Sequence, residues 1–559
     1  MQTFHHILKS HYDNRPDDVA IYLQHAGEED RPITVRQLLT HAVSAQRKLE
    51  AEGIQPGEVV LLIFQHGQDL IQTYFGTILH GAIPSIMPYL TEKLQPERYR
   101  RDLAALIEVT QPAAIFTYAE FEPEVRAALK EEDSVRTVMI AEELGEGGEP
   151  IFDLSRRQPE DIVLLQHSSG TTGLQKGVAL SHQSVLNQVK TYADVLHIDP
   201  KSDVLVSWLP LYHDMGLIAG FLMPILYGLP LVLMSPFDWV RAPYRLMQAV
   251  SDYQGTLVWL PNFAYNFCAT KIRARHMEGV DLSSWRLVTN CSEPMRHDSQ
   301  QLFLEAFKPY GFKESALGTS YAMAENTFAV TQGGVDGPVR IDSVDRESFQ
   351  VDRIARPAVE GQPSIDMVSA GKPIPNTQVK IVDADGKPLP DRHIGEIALH
   401  SDCMLTEYYH RPETTKKAFL DGWYLTGDYG YMLDGEVFIS GRKKDLIIVG
   451  GKNVYPQDLE RIAYTVPGVH PGRAVAFGVY SQKMGTEQVM LVAEVDTDDT
   501  DEKQRIANDI RQVVTQDSAV ALRHVHLVED GWIVKTSSGK TARLANRDKF
   551  LKETGFKVV

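Results

Sequence analysis

Between positions 164 and 182 the chain reads LLQHSSGTTGLQKGVALSH, an apolar run entering a stretch of hydroxyls, glycines and one lysine. Ser168, Ser169, Gly170, Thr171, Thr172, Gly173 and Lys176 suit phosphate chemistry. Glycines let successive backbone N–H groups turn inward, hydroxyls add neutral donors, and the lysine adds a cation, so a polyanion is held without stripping many charges of water. The order departs from the nucleotide-binding pattern G-x-x-x-x-G-K-[ST], so that mechanism is not expected. A Ser/Gly surface turn is the alternative reading of the loop alone. Other chemistry-bearing side chains lie far along the chain: Glu293, Tyr321 and Glu325, Asp428, the cluster Arg442, Lys443, Lys444, and Lys535 and Lys540 in a Ser/Gly loop. Singly, each of these is more often a turn residue or a solvated charge.

Elements able to gather such distant residues are legible as rhythm. Apolar runs VVLLIF (59–64), AAIFTY (113–118) and TVMIA (137–141) alternate with helix-period stretches, which predicts parallel βαβ units. Apolar positions from Val185 to Leu196 predict a helix soon after the hydroxyl loop. Beyond residue 370 paired runs flank turn signals, among them Asp434-Gly435, which predicts a β subdomain. After Gly441 two strands, a charged helix near 501–514 and the strand VHLVE predict a small α+β domain. The polar stretch GEGGE (145–149) reads as a linker. Positions 217–234 carry 18 consecutive uncharged residues, which reaches the length of a membrane span. Pro224, Gly228 and Pro230 interrupt it, predicting instead a helix over 217–226, a turn, and a buried strand.

Composition narrows the class further. The chain of 559 residues has 56 basic and 74 acidic side chains, a net charge of −18, which excludes the footprint of a duplex nucleic-acid binder. Three cysteines in such a length form no disulfide framework and have no metal-ligand spacing, which favours a reducing, cytoplasmic setting. The N-terminus is too polar for an export signal and reads as an amphipathic helix.

Taken in order, the motifs resemble those of the adenylate-forming superfamily of acyl-CoA synthetases, luciferases and peptide-synthetase adenylation domains. The loop 168–177 resembles its signature loop. SYAMAENT (320–327) resembles the segment that sets an aromatic ring on adenine and a glutamate on Mg²⁺, implying those roles for Tyr321 and Glu325. YLTGDYG (424–430) implies that Asp428 binds the ribose hydroxyls. GRKKDLIIVGGKNVYPQDLE (441–460) resembles the domain hinge, with Arg442 as the ribose-binding arginine and Lys444 as the pivot. KTSSGKTAR (535–543) implies that Lys540 is the catalytic lysine. Glu293 falls in the adenine- and ribose-binding set. Departures are Ala322 after the tyrosine, Cys291-Ser292 where Gly-Ala is usual, and Val534 in place of proline.

The implied fold is α/β: a large N-terminal domain (1–440) with parallel sheets and a β subdomain (371–440), then a small mobile α+β lid (441–559). The implied reaction joins a carboxylate to the α-phosphate of ATP. Two anions must meet there, so the site needs positive charge, from Mg²⁺ on Glu325 and from the long side chain of Lys540. From Glu325 to Gly371 the distance is 46 residues, longer than in ordinary acyl-CoA synthetases, which implies an insertion within 340–369. That insertion, with the segments 207–228, 260–268 and 455–460, most resembles fatty acyl-AMP ligases. Such enzymes hand the acyl group to an acyl carrier protein or to a polyketide or peptide synthase carrier domain instead of coenzyme A. His213, Phe263 and Tyr265 are candidates for the acyl site. A long-chain acyl-CoA synthetase and a catalytically silent carrier- or nucleotide-binding module are the alternatives. The expectations include ATP, Mg²⁺ and a fatty acid, with neither nucleic acid nor an integral membrane segment.

Overall fold

The computed structural model describes residues 2–89, 96–168, 176–449, 452–481, 486–518, 522–536 and 539–556. Two seven-stranded sheets dominate the N-terminal part. In one, Val59–Ile63 lies between Ile83–Met87 and Ala114–Thr117, all parallel, with Thr137–Ile140 at the edge. Every residue of Val59–Ile63 and Ile83–Met87 is buried, as a strand covered on both faces requires, and this explains why their sequences read as unbroken apolar runs. In the other sheet Leu205–Ser207, Leu231–Met234, Leu257–Leu260, Leu287–Asn290 and Leu317–Thr319 run parallel, and Val19–Gln24 and Arg31–Thr34 close one side as a hairpin. Between them pack the helices Val35–Ala51 and Gln68–His80. Gly76 permits their approach, since a Cβ there would stand 2.5 Å from the Ala42 carbonyl oxygen.

The strand Ile162–Ser168 joins the first sheet beside Ile83–Met87 and pairs antiparallel with Lys176–Ser181. The hydroxyl loop therefore connects two antiparallel strands, and the helix His182–Val195 starts only after the second. Ser181 caps that helix, accepting from the Ser184 amide at 3.0 Å, which satisfies one of its free N-terminal donors. Residues 169–175 lie outside the described residues, as does the side chain of Ser168.

One expectation changes and another holds. The stretch 145–149 is not a domain linker, because strands before and after it share one sheet. It lies on the helix Val35–Ala51, with the Gly148 amide donating to the Thr40 carbonyl. The apolar stretch 217–234 folds as expected into helix, turn and strand: a wide helical segment Met215–Leu222 continued by the short helix Met223–Tyr227, then the buried strand Leu231–Met234. Gly228, in the left-handed region at φ 97°, ends the helix, a conformation that costs a Cβ-bearing residue. Among the described residues no helix is long and apolar enough to cross a membrane.

A third sheet is built from Thr377–Val382, Gly395–Ser401, Trp423–Leu433 and Glu436–Arg442, with Phe419–Leu420 at the far edge. Its tight turn at Asp434-Gly435 has both residues at positive φ, 53° and 81°, the geometry a two-residue hairpin prefers. Beyond it the strands Val469–Ser481, Thr486–Val495 and His524–Val528 form a three-stranded sheet. The helices Pro456–Ala463, Thr500–Ser518 and Arg543–Thr554 cover it. Two buried clusters, one centred on Leu491 and Ile510 and one on Phe477 and Phe550, are distinct from the large N-terminal core. The architecture is thus a large α/β domain with parallel sheets followed by a smaller α+β domain.

The segment 340–369 forms the antiparallel hairpin Ile341–Asp345 and Ser364–Val368 with a wide turn Ser348–Asp352 between. Phe349 packs on Tyr455 at 5.6 Å between ring centroids. Arg353 donates to Asn453 Oδ1 at 3.0 Å, and Asn453 donates back to the Gln350 carbonyl at 3.1 Å. Arg346 donates to the Asp517 carbonyl. The excursion thus touches the C-terminal domain at two separate places.

Candidate active site

Tyr321 stands just past the strand Leu317–Thr319, and the Thr331 hydroxyl accepts its amide N–H at 3.0 Å while donating to the Ala370 carbonyl at 2.6 Å. Gly371 follows immediately, and a Cβ on it would stand 2.0 Å from the Gln332 carbonyl carbon. This close crossing ties the tyrosine segment to the third sheet. From that sheet comes Asp428, whose Oδ2 accepts the Tyr321 hydroxyl at 2.6 Å. Asp428 is the cross-strand partner of Arg442, and their charged groups are 3.6 Å apart. Burial opposes charge on Arg442, but the carboxylates of Asp428 and Asp445 outweigh it and hold its pKa above the ordinary value.

Glu325 follows on the same loop. Its backbone carbonyl accepts from the Leu405 amide at 2.8 Å, and its Oε1 accepts the Tyr408 hydroxyl, also at 2.8 Å. Tyr408 and Tyr424 share a hydrogen bond at 2.8 Å, and the Lys176 ammonium lies 4.6 Å from the centre of the Tyr408 ring. Burial raises the Glu325 pKa despite the Tyr408 hydroxyl. Lys176, at the exit of the hydroxyl loop, therefore faces the same tyrosine as Glu325. Neither Tyr408 nor the Tyr408–Tyr424 link is visible as a motif; Tyr424 lies inside YLTGDYG, but Tyr408 has only its position in space to mark it.

On the opposite wall His213 and Asp214 pair at 2.6 Å, and Asp214 accepts the Met215 amide at 2.8 Å. Burial resists the Asp214 charge, yet His213 and Lys540 prevail and bring its pKa to about 2. Lys540 projects from the C-terminal domain into this wall. Burial pulls its pKa down, Asp214 and Glu293 oppose that, and Arg442 reinforces it. Asp214 also acts on Glu325, and Glu325 acts on Arg442. Lys540 and Glu325 thus share charged neighbours although 215 positions separate them. Lys444, on the loop after Arg442, has its ammonium drawn down to about 8 by partial burial and by Arg442.

Glu293 Oε2 accepts the Phe263 amide at 2.9 Å, and Ser292 holds the unusual φ of 70°, so the wall turns sharply beside Cys291. The Cys291 thiol, fully buried, is pushed up to about 12. All three cysteines are free and buried. The acyl candidates separate. His213 faces Asp214. Phe263 is exposed and meets Trp208 and Trp239 edge-on at 6.3 and 6.1 Å. Tyr265 is fully enclosed, its hydroxyl donating to the Val288 carbonyl at 2.9 Å and its ring 4.9 Å from Phe303, so it belongs to the packing beneath the helix.

Two walls of the N-terminal domain, carrying a tyrosine, an aspartate and a buried glutamate, with Lys540 reaching in from the C-terminal domain, fit an adenylate-forming enzyme, an ATP-dependent acid-activating ligase. The chain belongs to the AMP-binding enzyme family, which residues 8–409 match. It is 30% identical to the medium-chain-fatty-acid–[acyl-carrier-protein] ligase JamA of Moorena producens, over 98% of this chain and 94% of that one. It is 31% identical to the long-chain-fatty-acid–AMP ligase FadD32 of Mycolicibacterium smegmatis, over 89% and 85%. A structure from work on fatty acyl-adenylate ligases of E. coli and L. pneumophila superposes with a TM-score of 0.90 at 26% identity, covering 99% of this chain and 98% of that one.

Proposed function

We propose that the protein is a fatty acyl-AMP ligase: it joins a fatty acid to ATP, releases pyrophosphate, and passes the acyl group to the thiol of a carrier protein's phosphopantetheine arm. The observation that carries this reading is the charged neighbourhood that Lys540 shares with Glu325, Asp214 and Arg442. A fatty carboxylate oxygen attacks the α-phosphorus, the bond from that phosphorus to the β-phosphate oxygen breaks, and pyrophosphate leaves. Lys540 places its ammonium where negative charge gathers, and a preorganised donor of this kind is worth about 10²–10³ in rate. Tyr321 stacks on adenine, Asp428 and Arg442 hold the ribose, and Lys176 with the hydroxyl loop holds the outer phosphates. Glu325 is a buried carboxylate whose pKa burial raises despite Lys176, and its oxygens would help to hold Mg²⁺. Among the described residues no three His, Cys, Asp or Glu side chains gather as a metal cage. When bound, the ion supplies neutralisation of phosphate charge.

Acyl transfer needs the C-terminal domain to swing about Lys444 and withdraw Lys540. The contacts of Phe349, Gln350 and Arg353 with Tyr455 and Asn453 oppose that swing, which supports a preference for a carrier protein over coenzyme A. A cytoplasmic location agrees with the three free thiols. The test is a mass-spectrometric product assay with ATP, fatty acids of graded length, and coenzyme A. Accumulated acyl-AMP is expected, and abundant acyl-CoA would overturn the reading in favour of an acyl-CoA synthetase. Pyrophosphate release that survives in Lys540→Ala would remove Lys540 from the reaction.

A further inference from the structure

The helix Asn262–Lys271 begins at the active site, where the Phe263 amide meets Glu293, and ends at a surface pocket of about 360 Å³. Arg241, Lys271, Arg273 and Arg275 line that pocket together with Val240 and Phe267, and no acidic residue lines it. The Tyr244 and His276 rings stack at 4.4 Å to form one side. Among the described residues none of the four cations has a carboxylate within ion-pair reach, and Arg275 donates only to His276. The exposed Arg505, by contrast, is matched by Glu502 and Asp509. A chain with net charge −18 has acids to spare, so four unmatched cations at one spot are a charge deficit that a partner can fill.

Three exposed apolar side chains, Phe237, Val240 and Phe263, lie on the helices Pro236–Arg241 and Asn262–Lys271, which border the pocket. Arginine and aromatic groups interleaved in this way are the composition of a protein interface core and rim. We propose that this pocket docks an acidic acyl carrier protein, an inference that rests on the transfer reading above and adds the surface it uses. Charge complementarity selects an acidic partner. A helix of 10 residues spans about 15 Å, so a carrier seated at the Lys271 end lies about one helix length from Glu293, within the reach of a long, flexible arm. Steering by such a patch acts on encounter more than on chemistry.

The test is Lys271→Glu/Arg273→Glu/Arg275→Glu, whose sites are exposed and outside the nucleotide site. Pyrophosphate release with fatty acid and ATP serves as the folding control and is expected to be unchanged. Acyl transfer is measured to an acidic bacterial holo acyl carrier protein and, separately, to free pantetheine. The variant is expected to raise the KM for the carrier about tenfold at low salt with kcat and pantetheine transfer unchanged, and to lose most of the wild type's salt dependence. An unchanged carrier KM in the variant overturns the docking site while leaving carrier transfer intact. Wild-type transfer to pantetheine but not to the carrier overturns the carrier reading, and the docking site with it. Selective loss of coenzyme A use, or of binding to phosphatidylglycerol vesicles, with the carrier KM unchanged, assigns the patch to a nucleotide phosphate or a lipid surface and overturns the proposal.

Discussion

The Tyr408 hydroxyl donates to Glu325 Oε1 at 2.8 Å while its ring receives the Lys176 ammonium at 4.6 Å. One tyrosine thus joins the acidic side of the site to the basic exit of the hydroxyl loop. A hydrogen bond to a charged group contributes about 1.5–3 kcal/mol, so Tyr408→Phe is expected to weaken the affinity of the Glu325 site for Mg²⁺-ATP about tenfold or more. A Mg²⁺ titration of pyrophosphate release, with melting as the stability control, reads this directly.

Lys540→Ala is expected to lower adenylation by about 10²–10³, while the KM for ATP changes little, because the ammonium acts on charge that develops during reaction. Hydroxylamine trapping of the acyl adenylate measures it. A loss of tenfold or less would mean that Lys540 is not the group facing the reacting phosphate.

Asp214 favours the charged form of Lys540, whose pKa burial has already lowered. Adenylation therefore declines on the alkaline side at a pH below the ordinary lysine range. Removing the Asp214 charge lowers the Lys540 pKa further, so Asp214→Asn is expected to move this limb to lower pH. A pH–rate profile of both proteins that superposes would place Asp214 outside the field of Lys540.

Phe349→Ala together with Asn453→Ala removes both the ring contact and the paired hydrogen bonds between the excursion and the C-terminal domain. Acyl-CoA formation is expected to rise several-fold with acyl-AMP formation unaltered. Unchanged product ratios in a folded variant would show that these contacts do not restrain the swing.

His182 is 2% exposed and its Nδ1 accepts the Phe4 amide at 3.2 Å. Burial pushes its pKa from 6.5 to about 3. Between those values the unfolded chain holds a proton that the folded one lacks, so stability falls as pH drops from 6.5 toward 3 and is independent of this group above 6.5. His182→Gln keeps an acceptor and is expected to flatten the decline by about 1.4 kcal/mol per pH unit, measured as urea midpoints between pH 7 and 4. An equal slope would assign the acid lability to other groups.

The relation between sequence and structure differs from segment to segment. Val59–Ile63, Ala114–Thr117 and the Asp434-Gly435 hairpin are legible because apolar runs and turn residues report local geometry. The turn into Lys176–Ser181 is not, since nothing in LQKGVALS says whether a strand or a helix comes next. The stretch 145–149 misleads for a related reason: its polarity describes composition, whereas the Gly148–Thr40 hydrogen bond that anchors it depends on a helix a hundred positions earlier.

By itself the sequence determined which kinds of groups are available: a hydroxyl and glycine loop, one glutamate after a tyrosine, an aspartate in a strand, and a lysine near the end, in an order that belongs to one family. Only tertiary structure decided that Tyr408 serves Glu325, that Asp214 faces Lys540, that Tyr265 is packing rather than wall, and that, among the described residues, four cations around one surface pocket have no ion-pair partner. The physical reason is range. Strand and turn preferences act over a few neighbouring residues, while hydrogen bonds and charge pairing act over a few ångströms between residues that the chain separates by tens or hundreds of positions.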